Sequence, residues 1–359
     1  MEIVIISFGI KEYDGRLKEL VRMLSNIGRV KLLCCSISQD PCFYMTSQQQ
    51  YLSRKNYLGF IGYVLRNCYR IKQTDILVCD NLFAAFPTLL VRRILKPRFL
   101  LQDVRELYFY KEQHGSGKFF SFFESRLIRK ADIVLAANQE RAQIMQEEYH
   151  LETPPLVFEN FRFLDGEYDA EKMKEKYAGV FRYAFNIIST SGLYMERESD
   201  KLIRAMKKCP EGCGLFFVGQ SSEKEIEKYK KICAEEGIHN VHLIGKVPMN
   251  ELRYIVQQCQ IGVVHYHMRN RNNTYCASGK VYEFLHEGLP VVTTENPPLK
   301  AFCEISGTGI ADRDFYKGIS GIIDQYDAYQ ARVKEYMEGR TPEKYNREVA
   351  QAIMSRLAI

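Results

Sequence analysis

The sequence has no long apolar run. Its 359 residues contain no stretch that approaches the roughly 18–20 consecutive apolar residues of a membrane-spanning helix. The first residues, MEIVIISF, do not resemble a signal peptide either, because they lack a basic segment and an extended apolar core. We therefore expect a cytoplasmic protein that can at most lie on a membrane, at its inner face.

Common signatures of metal and nucleotide sites are also missing. The gap between Cys209 and Cys213 differs from the two-residue gap usual in zinc sites, so we expect free, buried thiols. The segment HYH at 265–267 has metal-like spacing but no evident third ligand. Neither a G-x-x-x-x-G-K-[ST] loop nor a G-x-G-x-x-G fingerprint occurs, which disfavours NTPases and dinucleotide-binding proteins. The D-x-D pattern at 312–314 comes late, in a chain whose other motifs differ from those of metal-dependent transferases.

The net charge is low, and the charged residues are unevenly distributed along the chain. The net charge is +6, and residues 1–165 carry most of the basic excess. Such an excess fits an anionic membrane surface or a phosphorylated acceptor. It is too weak to indicate a nucleic-acid partner. The composition, with 46% hydrophobic and 26% charged residues, is that of a globular protein.

Short apolar runs alternate with amphipathic helical stretches along the whole chain. The runs are continuous, which indicates parallel sheets covered on both faces, and the alternation indicates βαβ units. Two such series predict two doubly wound domains, at 1–165 and 166–340. The segment ETPPLVFENFRFLDGEYD interrupts the pattern between them. A C-terminal helix at 341–359 is expected to pack back on the first domain.

Residues 277–294, ASGKVYEFLHEGLPVVTT, carry the most informative pattern. Ser278 and Gly279 open a helix after an apolar strand and a polar loop, and Lys280 and Glu283 share one face of it. Helix amides and an ammonium suit a diphosphate, and a carboxylate can accept hydrogen bonds from ribose hydroxyls. An exposed Lys–Glu ion pair is the alternative interpretation.

This segment resembles the nucleotide-sugar motif of the family 4 glycosyltransferases, in particular the subgroup whose motif reads S/P-x-K-x-x-E-Y-x-x-x-G-x-P. Ser278, Lys280 and Glu283 match it, with Phe284 in place of Tyr. The resemblance implies the GT-B architecture, an α/β fold in which two doubly wound Rossmann-like domains face a cleft. It also implies that Glu283 binds the ribose hydroxyls of the donor.

A second match lies in the segment IISTSGLYMERESDKLIRAM. Gly192 corresponds to the family's glycine turn, and Arg197 to the basic residue that neutralises the donor pyrophosphate. The residue after the turn is often Arg in the family, but here it is Leu193. Gly219 corresponds to a further turn after a strand. The resemblance therefore implies a donor site formed by these residues together with the 277–294 segment.

Weaker matches extend over the first domain. Gly15 corresponds to the turn after the first strand, with Arg16 as a lesser candidate contact. The segment DVRELY resembles an acceptor-side stretch that often reads V-R-D-L-W, which makes Asp103, Arg105 and Glu106 the acceptor-side candidates. A carboxylate there could orient or deprotonate the acceptor hydroxyl. The alternative is that Glu106 is an ordinary loop residue.

A basic loop follows one strand of the second domain. His265, Arg269 and Tyr275 in this loop are candidate contacts to the donor sugar or the acceptor, and a mobile surface loop is the alternative. Tyr275 stands where many family members have a second Glu, so the resemblance does not identify the sugar. Residues 51–72 resemble a basic interfacial helix, for which membrane contact and ordinary core packing both remain open.

We therefore expect a retaining, metal-independent hexosyltransferase without a cofactor. It would move a sugar from a nucleoside-diphosphate donor to an acceptor such as a lipid-linked saccharide, in polysaccharide or glycolipid assembly. Arg197, Lys280, Glu106 and Asp103 are the expected catalytic residues. Two alternatives remain: a non-catalytic nucleotide-sugar-binding subunit, and a nucleotide-sugar epimerase on the same fold.

Overall fold

The computed structural model describes residues 1–40 and 43–359. By their contacts these residues form two compact units. One comprises residues 1–160 together with 341–359, and the other comprises residues 161–340. Residues 161–165, which the sequence assigns to the first domain, thus belong to the second unit by contact.

The first unit is a parallel sheet with helices packed on both faces. Its strands are β1 (Glu2–Ile10), β2 (Arg29–Ser36), β3 (Tyr44–Met45), β4 (Ile76–Asp80), β5 (Phe99–Val104), β6 (Ile133–Ala136) and β7 (Leu156–Val157). Its helices are α1 (Gly15–Ser25), α2 (Arg54–Cys68), α3 (Ala85–Leu95), α4 (Gly115–Ile128), α5 (Gln139–Tyr149) and α15 (Pro342–Leu357). The strand order is β3-β2-β1-β4-β5-β6-β7.

The C-terminal helix α15 packs on the first unit. Its residues Val349, Ala350 and Ile353 are buried in the same cluster as Ile3 and Ile5 of β1. Asn346 donates a hydrogen bond to Glu19 of α1 at 2.8 Å. The helix thus completes one face of the first sheet, although 180 residues of the other unit precede it in the chain.

The second unit repeats the same architecture with six strands. They are β8 (Phe185–Ser189), β9 (Cys213–Val218), β10 (Val241–Gly245), β11 (Ile261–Val264), β12 (Val291–Thr293) and β13 (Gly309–Ala311). The helices are α6 (Ala170–Lys176), α7 (Ser199–Ala205), α8 (Glu223–Glu236), α9 (Met249–Gln257), α10 (Arg271–Thr274), α11 (Lys280–His286), α12 (Pro297–Ser306), α13 (Phe315–Asp324) and α14 (Tyr326–Met337). The strand order is β10-β9-β8-β11-β12-β13.

Both sheets are doubly wound, as the alternation of apolar runs and amphipathic helices predicts. Every strand pairing among the described residues is parallel. Parallel strands need crossover helices, and these cover both faces, which is why continuous apolar runs form the strands. The order of the chain reverses between β1 and β4 in one sheet and between β8 and β11 in the other. Ligands of such sheets bind beyond the carboxyl ends of the strands at these switch points.

Two further findings concern the described residues. None of their helices is long and apolar enough to cross a membrane. Their ten cysteines are all free thiols, and nine of them are buried. Burial raises the pKa of the Cys35 thiol to about 12, which makes it a poor nucleophile at neutral pH.

Candidate functional site

The switch point of the second sheet is bridged by a buried histidine. His265 follows β11, is 1% exposed, and lies 3.1 Å from the Ser189 hydroxyl at the end of β8. Its Nδ1 lies 2.5 Å from the backbone oxygen of Arg197. A carbonyl can only accept, so Nδ1 carries the proton and Nε2 accepts from Ser189. Burial lowers the pKa of His265 to about 4, which keeps the ring neutral.

His265 is one of the candidate sugar or acceptor contacts in the sequence. Both of its ring nitrogens contact the protein, so the ring holds the Arg197 turn against the sheet. The positive charges of Arg197 and Lys280 both act on the ring and lower its pKa further. The two predicted phosphate-binding cations are therefore brought close to the same switch point.

Arg197 lies on a short 3-10 turn, Met195–Arg197, between β8 and α7. Its guanidinium lies 5.5 Å from the ring of Tyr194 and 5.6 Å from that of Tyr266. Aromatic faces at this distance attract a cation and limit its rotation. The side chain is only partly buried, so its charge remains accessible at the edge of the sheet.

The two predicted glycine turns contact each other. Gly192 has a φ of 72°, and a Cβ there would lie 2.3 Å from the backbone oxygen of Gln220. A Cβ on Gly219, whose φ is 135°, would lie 2.8 Å from the Gly192 nitrogen. Only glycine fits both positions. Leu193 is fully buried in the core, which explains why an apolar residue occupies this position.

The 277–294 motif forms the loop and helix α11 next to this turn. Ser278 and Gly279 precede the helix, and no side chain caps its first turn. The helix has seven residues. The side-chain oxygens of Ser278 and Thr190 are buried and have no hydrogen-bond partner among the described residues. Such orphaned hydroxyls are rare in folded proteins and fit a site that a polar ligand completes.

Glu283 pairs with a residue that sequence reasoning missed. Its Oε1 accepts a 2.7 Å hydrogen bond from Nε of Arg162, although the two residues are 121 positions apart. The side chain of Glu283 is 7% exposed and that of Arg162 is 31% exposed. The available signal in the sequence is the basic residue of the FRF triplet at 161–163, in the segment that interrupts the strand–helix pattern.

Arg269 and Tyr275 occupy different parts of the loop after β11. Arg269 is exposed and lines a cleft of about 440 Å³ together with Met195 and Glu198, next to the Arg197 turn. Tyr275 is half-buried and ends α10. Asn296 donates to the backbone oxygen of Asn273 at 2.8 Å and so ties α10 to the chain after β12.

In the first unit, Arg16 and Asp103 form a buried ion pair. Arg16 donates from Nε at 2.8 Å and from a second nitrogen at 2.5 Å to the two oxygens of Asp103, which is fully buried. The guanidinium also donates to the Phe158 carbonyl and to Asn160. Both residues are candidate contacts in the sequence. In the structure they pair with each other and join β5 to α1.

Arg105 is likewise engaged within the first unit. It donates from Nε and from a second nitrogen to Asp80 at 2.6 Å each, and from its third to Asp14 at 2.6 Å. Burial raises the pKa of Asp80 to about 7 even though the Arg105 guanidinium opposes that shift. Asp14 also caps α1 through Leu17, which places Gly15 in the first turn of that helix at the switch point. All three guanidinium nitrogens of Arg105 therefore donate to carboxylates at the carboxyl edge of this sheet.

Glu106 remains the accessible carboxylate of the acceptor-side candidates. Its side chain is 48% exposed and lies 3.6 Å from Arg141, itself almost fully buried. Nearby Glu124 of α4 is 2% exposed, and burial raises its pKa to about 8, with repulsion from Glu106 and Asp103 adding to the shift. Glu124 is thus protonated at neutral pH. The sequence pattern around Glu124 gave no sign of a buried acid.

Among the described residues no cluster of three or more metal-ligating side chains occurs. Asp312 and Asp314 of the D-x-D pattern are used locally. Asp312 accepts from the Asp314 backbone at 2.7 Å, and Asp314 caps α13 through the Tyr316 backbone. The pattern is therefore a turn and a helix cap in this chain.

Comparison with known proteins rests on structure. No family model and no curated protein sequence matches the chain. Anabaena HepE in complex with UDP-glucose is similar over 99% of this chain and all of its own, with a TM-score of 0.74 and 12% identity. Sucrose-phosphate synthase from Thermosynechococcus elongatus is similar over 98% of this chain and 94% of its own, with a TM-score of 0.69 and 16% identity. WaaG, a glycosyltransferase involved in lipopolysaccharide biosynthesis, is similar over 98% of this chain and 99% of its own, with a TM-score of 0.64 and 14% identity. With these full-length similarities and its two doubly wound sheets, the chain has the GT-B fold.

Proposed function

We propose that this protein is a glycosyltransferase that moves a sugar from a nucleoside-diphosphate donor to an acceptor hydroxyl. The observation that carries the proposal is the arrangement at the switch point of the second sheet. There, the positive charges of Arg197 and Lys280 both act on His265, two glycine turns contact each other, and two buried hydroxyls have no partner among the described residues. The complexes of HepE with UDP and UDP-glucose support a donor of this class.

The chemistry follows from the charges. Breaking the anomeric bond builds negative charge on the departing diphosphate, so fixed cations there favour the transition state over the ground state. Arg197 and Lys280 would supply this field, with Ser278 and Gly279 offering their amides. Because the positive charge is built into the chain, we propose that the reaction needs no divalent metal. Retention at the anomeric carbon is proposed from the family resemblance.

On the acceptor side we propose Glu106. It is exposed, whereas Asp103 and Arg105 are committed to ion pairs within the first unit. A carboxylate within hydrogen-bond reach of the acceptor hydroxyl can orient it and accept its proton. Glu106→Gln should lower turnover by about 10²–10⁴-fold with little change in donor affinity.

We further propose a lipid-linked acceptor and peripheral contact with an anionic membrane. Two helices of the first unit support this. In α2, Phe60 and Val64 pack inward, while Leu58 is 55% exposed near basic residues of the same helix. In α4, Phe119 and Phe122 are 46% and 39% exposed. Aromatic and basic side chains together are typical of interfacial helices. Flotation with vesicles of anionic and of neutral lipids tests this, and equal recovery with both would contradict it.

A donor screen in EDTA tests the central proposal. The protein is incubated with each common nucleoside-diphosphate sugar, and thermal shift and slow donor hydrolysis are recorded. A ligand at a hundred times its dissociation constant should stabilise the fold by about 2.7 kcal/mol. A shift with hydrolysis supports a metal-independent transferase. An epimerised donor would favour an isomerase, and binding without turnover on any acceptor a non-catalytic subunit. No shift with any donor would reject the proposal.

A further inference from the structure

The segment that precedes α6 is fastened along helix α11 by aromatic contacts. The ring of Phe161 lies 4.7 Å from that of Tyr282 at an interplanar angle of 89°. The ring of Phe163 stacks on His286 at 3.7 Å and 7°. Leu164, the next residue, is buried in the same cluster as Val281 and Phe284. The backbone on both sides of Arg162 is therefore held against α11.

Arg162 reaches Glu283 from this anchored position. The 2.7 Å hydrogen bond from its Nε goes to Oε1 of Glu283, and among the described residues no donor contacts Oε2. A buried carboxylate requires compensating donors, and a planar guanidinium fixes the direction of the oxygen that it binds. Glu283 thus has one oxygen fixed by the protein and the other open to a ligand.

We propose that Arg162 is the positioning residue for Glu283: it holds the carboxylate in the orientation that accepts hydrogen bonds from the donor's ribose hydroxyls. The inference rests on the proposed function, because it concerns the same site. It differs from a blocking role, in which Arg162 would compete with ribose for Glu283. It also differs from a purely structural role, in which Arg162 would affect every ligand equally.

The chain offers a closely matched control. Arg253 donates from Nε to Oε1 of Glu287 at 3.0 Å, with side-chain exposures of 33% and 5%. Glu287 directly follows α11, four residues after Glu283. Arg253→Ala therefore removes an arginine–glutamate pair of the same kind and burial, at the same helix, without touching Glu283.

The test measures how much the ribose hydroxyls contribute to binding. Dissociation constants of UDP and 2′,3′-dideoxy-UDP, and of the corresponding ADP and GDP pairs, are determined by calorimetry for the full chain. We compare the wild type with Arg162→Ala, Arg162→Lys, Glu283→Gln and Arg253→Ala. Thermal denaturation of each variant verifies folding, and Arg162→Lys serves if Arg162→Ala does not fold.

We expect the wild type to bind the ribonucleotide about 10- to 100-fold more tightly than its dideoxy form, the range of hydrogen bonds to a charged group. Arg162→Ala should reduce this ratio to about threefold or less, as Glu283→Gln does, and leave the affinity for the dideoxynucleotide within about twofold. Arg162→Lys should recover part of the ratio, since an ammonium supplies a donor without the fixed plane. Arg253→Ala should keep the wild-type ratio.

Three results would overturn the inference. If Arg162→Ala keeps the wild-type ratio of ribonucleotide to dideoxynucleotide affinity, Glu283 needs no positioning. If the variant loses the same affinity for both nucleotides, Arg162 is structural. Tighter ribonucleotide binding by Arg162→Ala means that it blocks the site. Failure of the wild type to bind any nucleoside diphosphate is a different result, because it rejects the proposed function itself and the inference with it.

Discussion

The buried His265 makes a quantitative prediction about stability and pH. The folded state lowers its pKa from 6.5 to about 4, chiefly because burial disfavours the charged ring. The neutral form is therefore the one that folding favours. The stability that the neutral ring contributes is fully present above pH 6.5. It is lost as the pH falls towards 4, because the unfolded chain takes up the proton first.

The size of the effect follows from linkage. Because of this pKa difference, protonation of His265 lowers the unfolding free energy, relative to neutral pH, by about 3 kcal/mol below pH 4 and by about 2 kcal/mol at pH 5. His265→Asn removes the titration and can still donate a hydrogen bond to the backbone oxygen of Arg197. Between pH 7 and pH 5, the wild type should therefore lose about 2 kcal/mol more unfolding free energy than the variant.

Urea denaturation followed by circular dichroism measures this, since the chain contains no tryptophan. Other titrating groups act equally in both proteins and cancel in the comparison. His239 is exposed, so His239→Asn is the matched control and should follow the wild type across the pH range. Parallel pH dependences of the wild type and His265→Asn would refute the lowered pKa of the buried ring.

Three further predictions concern other charged residues. Glu283→Ala should weaken donor binding by about 10- to 100-fold, the share that hydrogen bonds to a charged group contribute, and near-normal affinity in calorimetry would reject the ribose role. Arg16→Ala leaves the fully buried Asp103 unpaired and should cost about 3–5 kcal/mol in urea denaturation; an unchanged midpoint would mean that the pair is not needed. Burial raises the pKa of Glu124 from 4.5 to about 8, so stability should fall as the pH rises between these values. Glu124→Gln should lack this fall, and a persisting fall would assign it to other groups.

The two switch points differ in how their charges are used. In the first unit, Arg16 and Arg105 are satisfied by carboxylates of their own sheet edge. In the second, the positive charges of Arg197 and Lys280 act on a neutral histidine, and two nearby hydroxyls have no partner among the described residues. We therefore expect a diphosphate at the second edge, because its negative charge would pair with these cations and its oxygens would bind the two hydroxyls.

The sequence by itself determined the fold class. Apolar runs alternating with amphipathic helices require parallel strands and crossover helices, and both sheets confirm this interpretation. Positions that need a special backbone were also readable, because only glycine tolerates the conformation and close packing found at Gly192 and Gly219. The order of the motifs along the chain fixed which strand ends they follow.

Only the tertiary structure decided which charges meet. Arg16 and Asp103 are 87 residues apart, and Arg162 and Glu283 are 121 apart. The local pattern around each of them is the same whether its partner is a ligand, water or another side chain. Burial is decided by packing as well: the sequence pattern does not show that His265 is buried with both ring nitrogens in contact with the protein. The sequence specifies periodicity and backbone propensity because these are local, whereas electrostatic partners depend on distances that only the folded chain sets.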